Sequence, residues 1–193
     1  MNLDDLSTQQ SALLVQNNFL SNEEIISLTE TVKNLPLIKY PKGKLFGKEI
    51  TFHRSIGFFS NSDGYRFSGQ TIRTGYITPE LQTILDKVNS SLNESFNGIL
   101  INIYHSGLDY ISAHSDDEKT LNSDCVAAIS LGESRIFRIR EKQTKKIKLD
   151  IPTEEGQLLV MKGEFQREFT HEIPIEKKKN GERISLTFRK HFK

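Results

Sequence analysis

The half of the chain after Phe96 constrains the fold most. Segments from Gly98 to His105, Cys125 to Leu131, Arg135 to Arg140, Gln157 to Met161 and Arg183 to Lys190 are short, strand-like and separated by turn-forming residues. Strands at that spacing, with no helical pattern between them, predict a sandwich or barrel and argue against a doubly wound parallel sheet. The first half reads differently. Ser21 and Glu24 have capping-box spacing ahead of Ile25, Ile26 and Leu28, which predicts a helix from about Asn22 to Asn34. Thr78 as N-cap, Pro79 at the first helical position, and Leu81, Ile84, Leu85 and Val88 at helical spacing predict a second helix that ends near Asn93. Between them, Pro36 and Pro41 enclose a short extended segment. The basic stretch with Lys42, Lys44, Lys48, Gly43 and Gly47 then predicts a hairpin or exposed loop. The expected class is mainly β with flanking helices (α+β), in one domain over 1–193. Its helical part is about 1–95 and its β core about 96–193.

Composition narrows the setting. At 193 residues and 22.1 kDa, with 36% hydrophobic and 26% charged residues, the chain has the make-up of a single globular domain rather than a disordered segment. A formal net charge of +1 means that any nucleic-acid contact must rest on a local basic patch. The single cysteine, Cys125, rules out an internal disulfide and a cysteine metal cluster; beside Val126 and Ala127 it reads as a buried thiol in a reducing compartment. No run approaches the ~20 apolar residues of a membrane span, and MNLDDLSTQQ lacks the pattern of a signal peptide. The expectation is an intracellular monomer, cytoplasmic or nuclear, with no membrane association.

The chemistry-bearing pattern begins at His114-Ser115-Asp116, where an extended backbone points residues i and i+2 to the same side. A sheet folded back on itself returns His171 to the same end, making two histidines and one carboxylate, a ligand set associated with non-haem Fe(II) oxygenases. In the last strand, Arg183, Ser185, Thr187 and Arg189 share one face and Ile184, Leu186 and Phe188 the other. Asn102 and Tyr104 likewise share a face opposite Ile99, Ile101 and Ile103. Such polar faces fit either solvent or the wall of one pocket. As a pocket wall, guanidinium forks with an amide and a phenol suit a dicarboxylate.

The series Asn102-x-Tyr104-x-x-Gly107-x-Asp109-x-Ile111-x-x-His114-x-Asp116-Asp117-Glu118, then Ser130-Leu131-Gly132, His171-x-x-Pro174 and Arg183-x-x-x-Thr187-Phe188-Arg189, resembles the AlkB-like Fe(II)/2-oxoglutarate dioxygenases. The resemblance runs from about Leu45 to the C-terminus. It implies a double-stranded β-helix, or jelly roll, with an N-terminal helical and nucleotide-recognition lid extension. It also implies Fe(II) held by His114, Asp116 and His171. For the co-substrate, it implies that Arg183 pairs with the distal carboxylate of 2-oxoglutarate, with Asn102, Tyr104, Ser185 and Arg189 around the rest. The implied activity is oxidative removal of N-alkyl lesions such as 1-methyladenine and 3-methylcytosine, consuming O2 and releasing succinate, CO2 and formaldehyde.

Upstream, Leu45-Phe46-Gly47-Lys48, Arg54 and Tyr65-x-Phe67-Ser68-Gly69 are similar to the lid of the branch that repairs alkylated bases in double-stranded DNA. That likeness implies alkylated DNA as the partner and Phe46 as a wedge filling the gap left by a flipped nucleotide. It implies that Phe67 stacks on the base with Tyr65 beside it, and that Asp117 faces a cationic ring, with Glu118 and Arg54 as its second layer. The alternatives are a 2-oxoglutarate oxygenase acting on RNA, protein or a small molecule, and a non-catalytic jelly-roll binding module. Lys177 to Lys179 read as a solvated loop or a phosphate contact, Lys142 to Lys148 as a hairpin end, and His53, His105 and His191 as ordinary histidines.

Overall fold

A computed structural model describes residues 10–45, 48–60, 65–67, 70–72, 74–118 and 121–192, apart from the side chains at 44–45, 65–67, 70–72 and 123. Helix α1 spans Asn22–Lys33, and its capping box is formed at both ends: Ser21 Oγ accepts from the Glu24 amide at 3.3 Å and Glu24 Oε2 from the Ser21 amide at 2.8 Å. Helix α2 spans Pro79–Leu92, capped by Thr78 and closed by Asn93 in the left-handed conformation (φ 53°). Among the described residues, no helix is long and apolar enough to cross a membrane.

The strands are β1 (Ser11–Gln16), β2 (Ile38–Lys39), β3 (Lys42–Leu45), β4 (Lys48–Thr51), β5 (Ser55–Ser60), β6 (Tyr65–Phe67), β7 (Gln70–Ile72), β8 (Gly98–Tyr104), β9 (Ile111–His114), β10 (Leu121–Gly132), β11 (Ile136–Glu141), β12 (Ile147–Pro152), β13 (Gln157–Gly163), β14 (Phe169–Ile173) and β15 (Arg183–His191). They form a seven-stranded antiparallel sheet, β1-β13-β10-β15-β8-β5-β2, and a four-stranded one, β12-β11-β14-β9, with β3-β4 and β6-β7 as separate hairpins. The short helix α3, Phe165–Glu168, joins β13 to β14. Three strands from before residue 96 therefore belong to the larger sheet. The apolar stretch from Ala12 to Val15 lies in its edge strand, β1.

Two apolar layers explain the alternation in β8 and β15. Ile99, Ile101, Ile103, Ile184, Leu186 and Phe188 turn to the outer face, where Leu28 and Val32 of α1 and Leu81, Ile84, Leu85 and Val88 of α2 cover them. Burying each such side chain contributes roughly 1.5–3 kcal/mol. The inner layer joins Leu13, Val126, Leu159 and Met161 of the large sheet to Phe137, Ile139, Leu149, Ile151, Phe169 and Ile173 of the small one. Both faces of the large sheet are thus covered. The opposite faces of β8 and β15, carrying Asn102, Tyr104, Arg183, Ser185, Thr187 and Arg189, consequently look into the space between the sheets. Cys125 is buried in the outer layer; burial, reinforced by Glu94 nearby, pushes its thiol up to about 12.

Two glycines of the sequence motifs occupy points of close approach. A Cβ at Gly107 would meet the Glu176 carbonyl oxygen at 1.9 Å, and one at Gly132, where φ is +79°, would meet that of Glu182 at 2.3 Å. Both contacts bring the segment between β14 and β15 against the chain after β8 and the end of β10. Arg135, fully buried, locks the same corner: its guanidinium donates to Glu176 at 2.9 Å and to the carbonyls of Ser106, Asp109 and Pro174 at 3.0, 3.0 and 2.7 Å.

Candidate metal and co-substrate site

The antiparallel pairing of β14 with β9 sets His171 opposite His114, and Asp116 follows two residues beyond the end of β9. Their ligand atoms all lie within 4.8 Å of one another: His114 Nε2 is 3.9 Å from Asp116 Oδ1, and His171 Nε2 is 3.8 Å from Asp116 Oδ2. His114 Nδ1 lies 2.9 Å from the Ser112 carbonyl, which can only accept, so that nitrogen carries the proton and Nε2 keeps its lone pair for a metal. The Phe137 ring stacks on His171 at 5.1 Å with a 17° interplanar angle, which sets the orientation of the imidazole. Burial pushes His171 down to about 3, assisted by His114, and burial lowers His114 as well, so both rings are neutral as metal binding requires. Burial alone would raise Asp116. The positive charge of Arg189, which also hydrogen-bonds the carboxylate, outweighs it and holds the carboxyl below its usual range. Two neutral imidazoles and one carboxylate lining one cavity, with Asp116 and His171 buried and His114 partly exposed, fit Fe(II).

The cavity continues along β8 and β15. Its walls include Asn102, Tyr104, Arg183, Ser185, Thr187 and Arg189. Register explains the company: Arg183 pairs with Tyr104 and Ser185 with Asn102 across the β15-β8 ladder, so residues remote in sequence form successive rungs on one face. Arg183 donates from Nη2 to Ser130 Oγ at 2.9 Å and from Nε to Thr153 Oγ1 at 3.1 Å, and its guanidinium sits 5.3 Å from the Tyr104 ring centroid. Its Nη1 is buried without a hydrogen-bond partner among the described residues. A buried cation with the N–H groups of one nitrogen left over inside a polar cavity is a receptor for a carboxylate. Arg189 ion-pairs with Asp116 and stands 3.7 Å from Glu118.

The expected substrate-side residues are dispersed. Arg54 is buried and lines the cavity, donating from Nε to Asn102 Oδ1 at 2.8 Å. It reaches that position because β5, which it precedes, pairs with β8 at Ile56 and Asn102. Asp117 is half exposed and paired with Lys142 at 2.9 Å. Glu118 lies next to Arg189 rather than over open solvent. Phe46 lies outside the described residues, as do the side chains of Tyr65 and Phe67 in β6. His105 bonds Ser55 at 2.8 Å and Glu182 at 3.1 Å, on the side away from the cavity. Sequence reasoning gave no role to Arg135 and Gln166 and read Lys142 only as part of a hairpin end, not as the partner of Asp117. Each looks like an ordinary polar residue in sequence, and only its burial or its partner distinguishes it.

The chain belongs to the 2OG-Fe(II) oxygenase superfamily, whose family model matches residues 12–189. Among curated proteins it is similar to human DNA oxidative demethylase ALKBH2, 32% identical over 156 residues, covering 76% of this chain and 60% of that one. The Arabidopsis thaliana protein of the same name is 33% identical over 188 residues, covering 81% and 59%. Human alpha-ketoglutarate-dependent dioxygenase alkB homolog 3 is 32% identical over 120 residues, covering 58% and 42%. The chain thus spans about 60% or less of the length of these relatives. Among solved structures, that of OsALKBH1 has a TM-score of 0.62 over 92% of this chain and 97% of the other at 16% identity, a likeness of fold that bears out the jelly roll.

Proposed function

We propose that the protein is an Fe(II)- and 2-oxoglutarate-dependent oxidative demethylase of N-alkylated bases in DNA. The observation that carries this reading is the His114-Asp116-His171 grouping in the same cavity as the unpartnered Arg183 nitrogen. The DNA part rests on the printed names of the ALKBH2 relatives.

His114, Asp116 and His171 would hold the iron, and Arg183 the far carboxylate of 2-oxoglutarate. When bound, iron with 2-oxoglutarate and O2 supplies the oxidation of an N-methyl carbon, with succinate, CO2 and formaldehyde as products. The protein's own contribution is orientation and exclusion of water. Asn102, fixed by Arg54, and Tyr104 and Ser185 on neighbouring rungs orient the co-substrate along the β8-β15 wall. Arg189 keeps Asp116 ionised, and the Ser112 carbonyl holds the His114 proton on Nδ1, away from the metal face. Phe46, Tyr65, Phe67, Asp117 and Glu118 are assigned to lesion recognition, where a carboxylate near the base favours cationic rings.

The test is conversion of 1-methyladenine and 3-methylcytosine in matched single- and double-stranded DNA and RNA oligonucleotides, followed by mass. Iron- and 2-oxoglutarate-dependent repair of DNA is expected. Repair of RNA alone would move the substrate class; 2-oxoglutarate turnover without repair of any oligonucleotide would move it to protein or a small molecule. No turnover at all would leave a binding module.

A further inference from the structure

Asp116 stands on backbone that no ladder supports. Strand β9 ends at His114, and residues 115–118 have no regular structure. A carboxylate ligand needs its main chain fixed as well as its side chain, because one turn about an unsupported backbone would move the oxygens out of reach. Arg189 fixes the side chain. The main chain is held by α3: the Asp116 amide donates to Gln166 Oε1 at 2.9 Å, a bond buried on both sides. Ser115 Oγ donates to the Phe169 carbonyl at 2.9 Å, and Lys142 Nζ bridges Asp117 Oδ2 at 2.9 Å to the Gln166 carbonyl at 3.1 Å.

Gln166 is itself held without freedom. It is 1% exposed, its Nε2 faces Met161 Sδ at 3.5 Å, and its neighbour Phe165 is fully buried in the inner apolar layer. With the amide nitrogen against a thioether, the oxygen is the atom that faces Asp116. Helix α3 runs directly into β14, which carries His171 five residues later. The side chain therefore ties the carboxylate ligand on one segment to the element that presents the third ligand.

We propose that Gln166 is a positioning residue for the metal centre, setting Asp116 through its backbone amide. This rests on the iron-ligand reading above. Replacing it by Met keeps length and burial but removes the strong acceptor, whereas Glu keeps an oxygen at the same reach. Loss of a partner that orients a metal ligand typically costs 10–100-fold in affinity. The experiment measures the Mn(II) dissociation constant of the full chain anaerobically, by titration calorimetry, at a temperature where circular dichroism shows each variant folded. Asp116→Ala serves as the reference for loss of a ligand.

The expected result is a Mn(II) dissociation constant raised ten- to a hundredfold in Gln166→Met and largely restored in Gln166→Glu. The iron concentration for half-maximal turnover should rise in parallel while the rate at saturating iron changes little. A folded Gln166→Met with wild-type Mn(II) affinity and only a lowered melting temperature would overturn the proposal, since that is what a purely structural glutamine does. Should Gln166→Met not fold, Gln166→Asn, too short to reach the amide, takes its place with the same expected weakening, and unchanged affinity there is equally fatal. Unchanged affinity in Asp116→Ala would instead overturn the ligand assignment and the proposal with it.

Discussion

The cavity between the sheets and the two small hairpins ahead of α2 are built on different terms. The co-substrate wall of the cavity stands on β8 and β15, each hydrogen-bonded on both sides within the large sheet, so those rungs are fixed by two neighbours. Strands β3-β4 and β6-β7 hydrogen-bond only in pairs of their own. A two-stranded hairpin is marginal unless it packs on something else; for β3-β4 such a contact is Phe52, whose ring lies where a Cβ on Gly43 would be. The co-substrate clamp thus sits on doubly supported strands, whereas Asp116, beyond the end of β9, is held by side-chain contacts instead. Of the segments proposed for recognition, the described backbone of β6 belongs to such a separate hairpin.

That contrast makes substitutions in the two regions fail differently. The largest effect is expected from Asp116→Ala, which should abolish product formation because it removes the carboxylate ligand; demethylation followed by mass at saturating Fe(II) checks it, and full activity would sink the triad. Arg135→Leu comes next. It leaves Glu176 and three carbonyls around a lost guanidinium, and breaking such a buried pair costs roughly 3–5 kcal/mol, to be read in urea unfolding. A loss below about 1 kcal/mol would show that this corner is not a stability centre.

Arg183→Leu should raise the 2-oxoglutarate requirement roughly ten- to a hundredfold, the worth of a charged hydrogen-bonded fork, and leave the oligonucleotide requirement nearly as it was. An unchanged 2-oxoglutarate KM would place the clamp elsewhere. In the recognition region, Phe46→Ala should slow repair of a methylated duplex by about tenfold or more, reflecting a few kcal/mol of unstacking, and spare a single strand. Equal losses on both substrates with a lowered melting temperature would mark Phe46 as core and erase the division between the two regions.

The smallest effect concerns pH. His191, at the end of β15 and edge-on to Phe58, is pushed down to about 4 by burial and then by Arg189. In the unfolded chain a histidine takes its proton near 6.5. The unfolded state therefore binds more protons between these values, so stability is complete above pH ~6.5 and is lost as pH falls toward 4. The melting temperature should drop over that window, and His191→Phe should remove part of the drop. Identical profiles for the two proteins would assign the pH dependence to other groups.

Both long helices were legible because their ends are local chemistry: Ser21 with Glu24, and Thr78 with Pro79 and Asn93, act within one turn. Strands β8 and β15 were legible because alternation survives wherever one face is apolar and the other polar. Strand β5 was not, since SIGFFS is buried on both faces and leaves no period to read. Strand β14, FTHEI, was too short and too mixed to stand out, although its histidine was singled out by the motif.

Residue types and their parity determined that Arg183, Ser185 and Arg189 share a face, that His114 and Asp116 point one way, and that the chain carries one unpaired thiol. Whether that face met water or a cavity was decided by tertiary structure, because it depended on two helices covering the other side of the same sheet. The same holds for Arg54 on Asn102, Lys142 on Asp117 and Gln166 beneath Asp116. Their partners lie 25 to 50 residues away in sequence, and hydrogen bonds across such separations exist only once the register of the sheets has brought the atoms together.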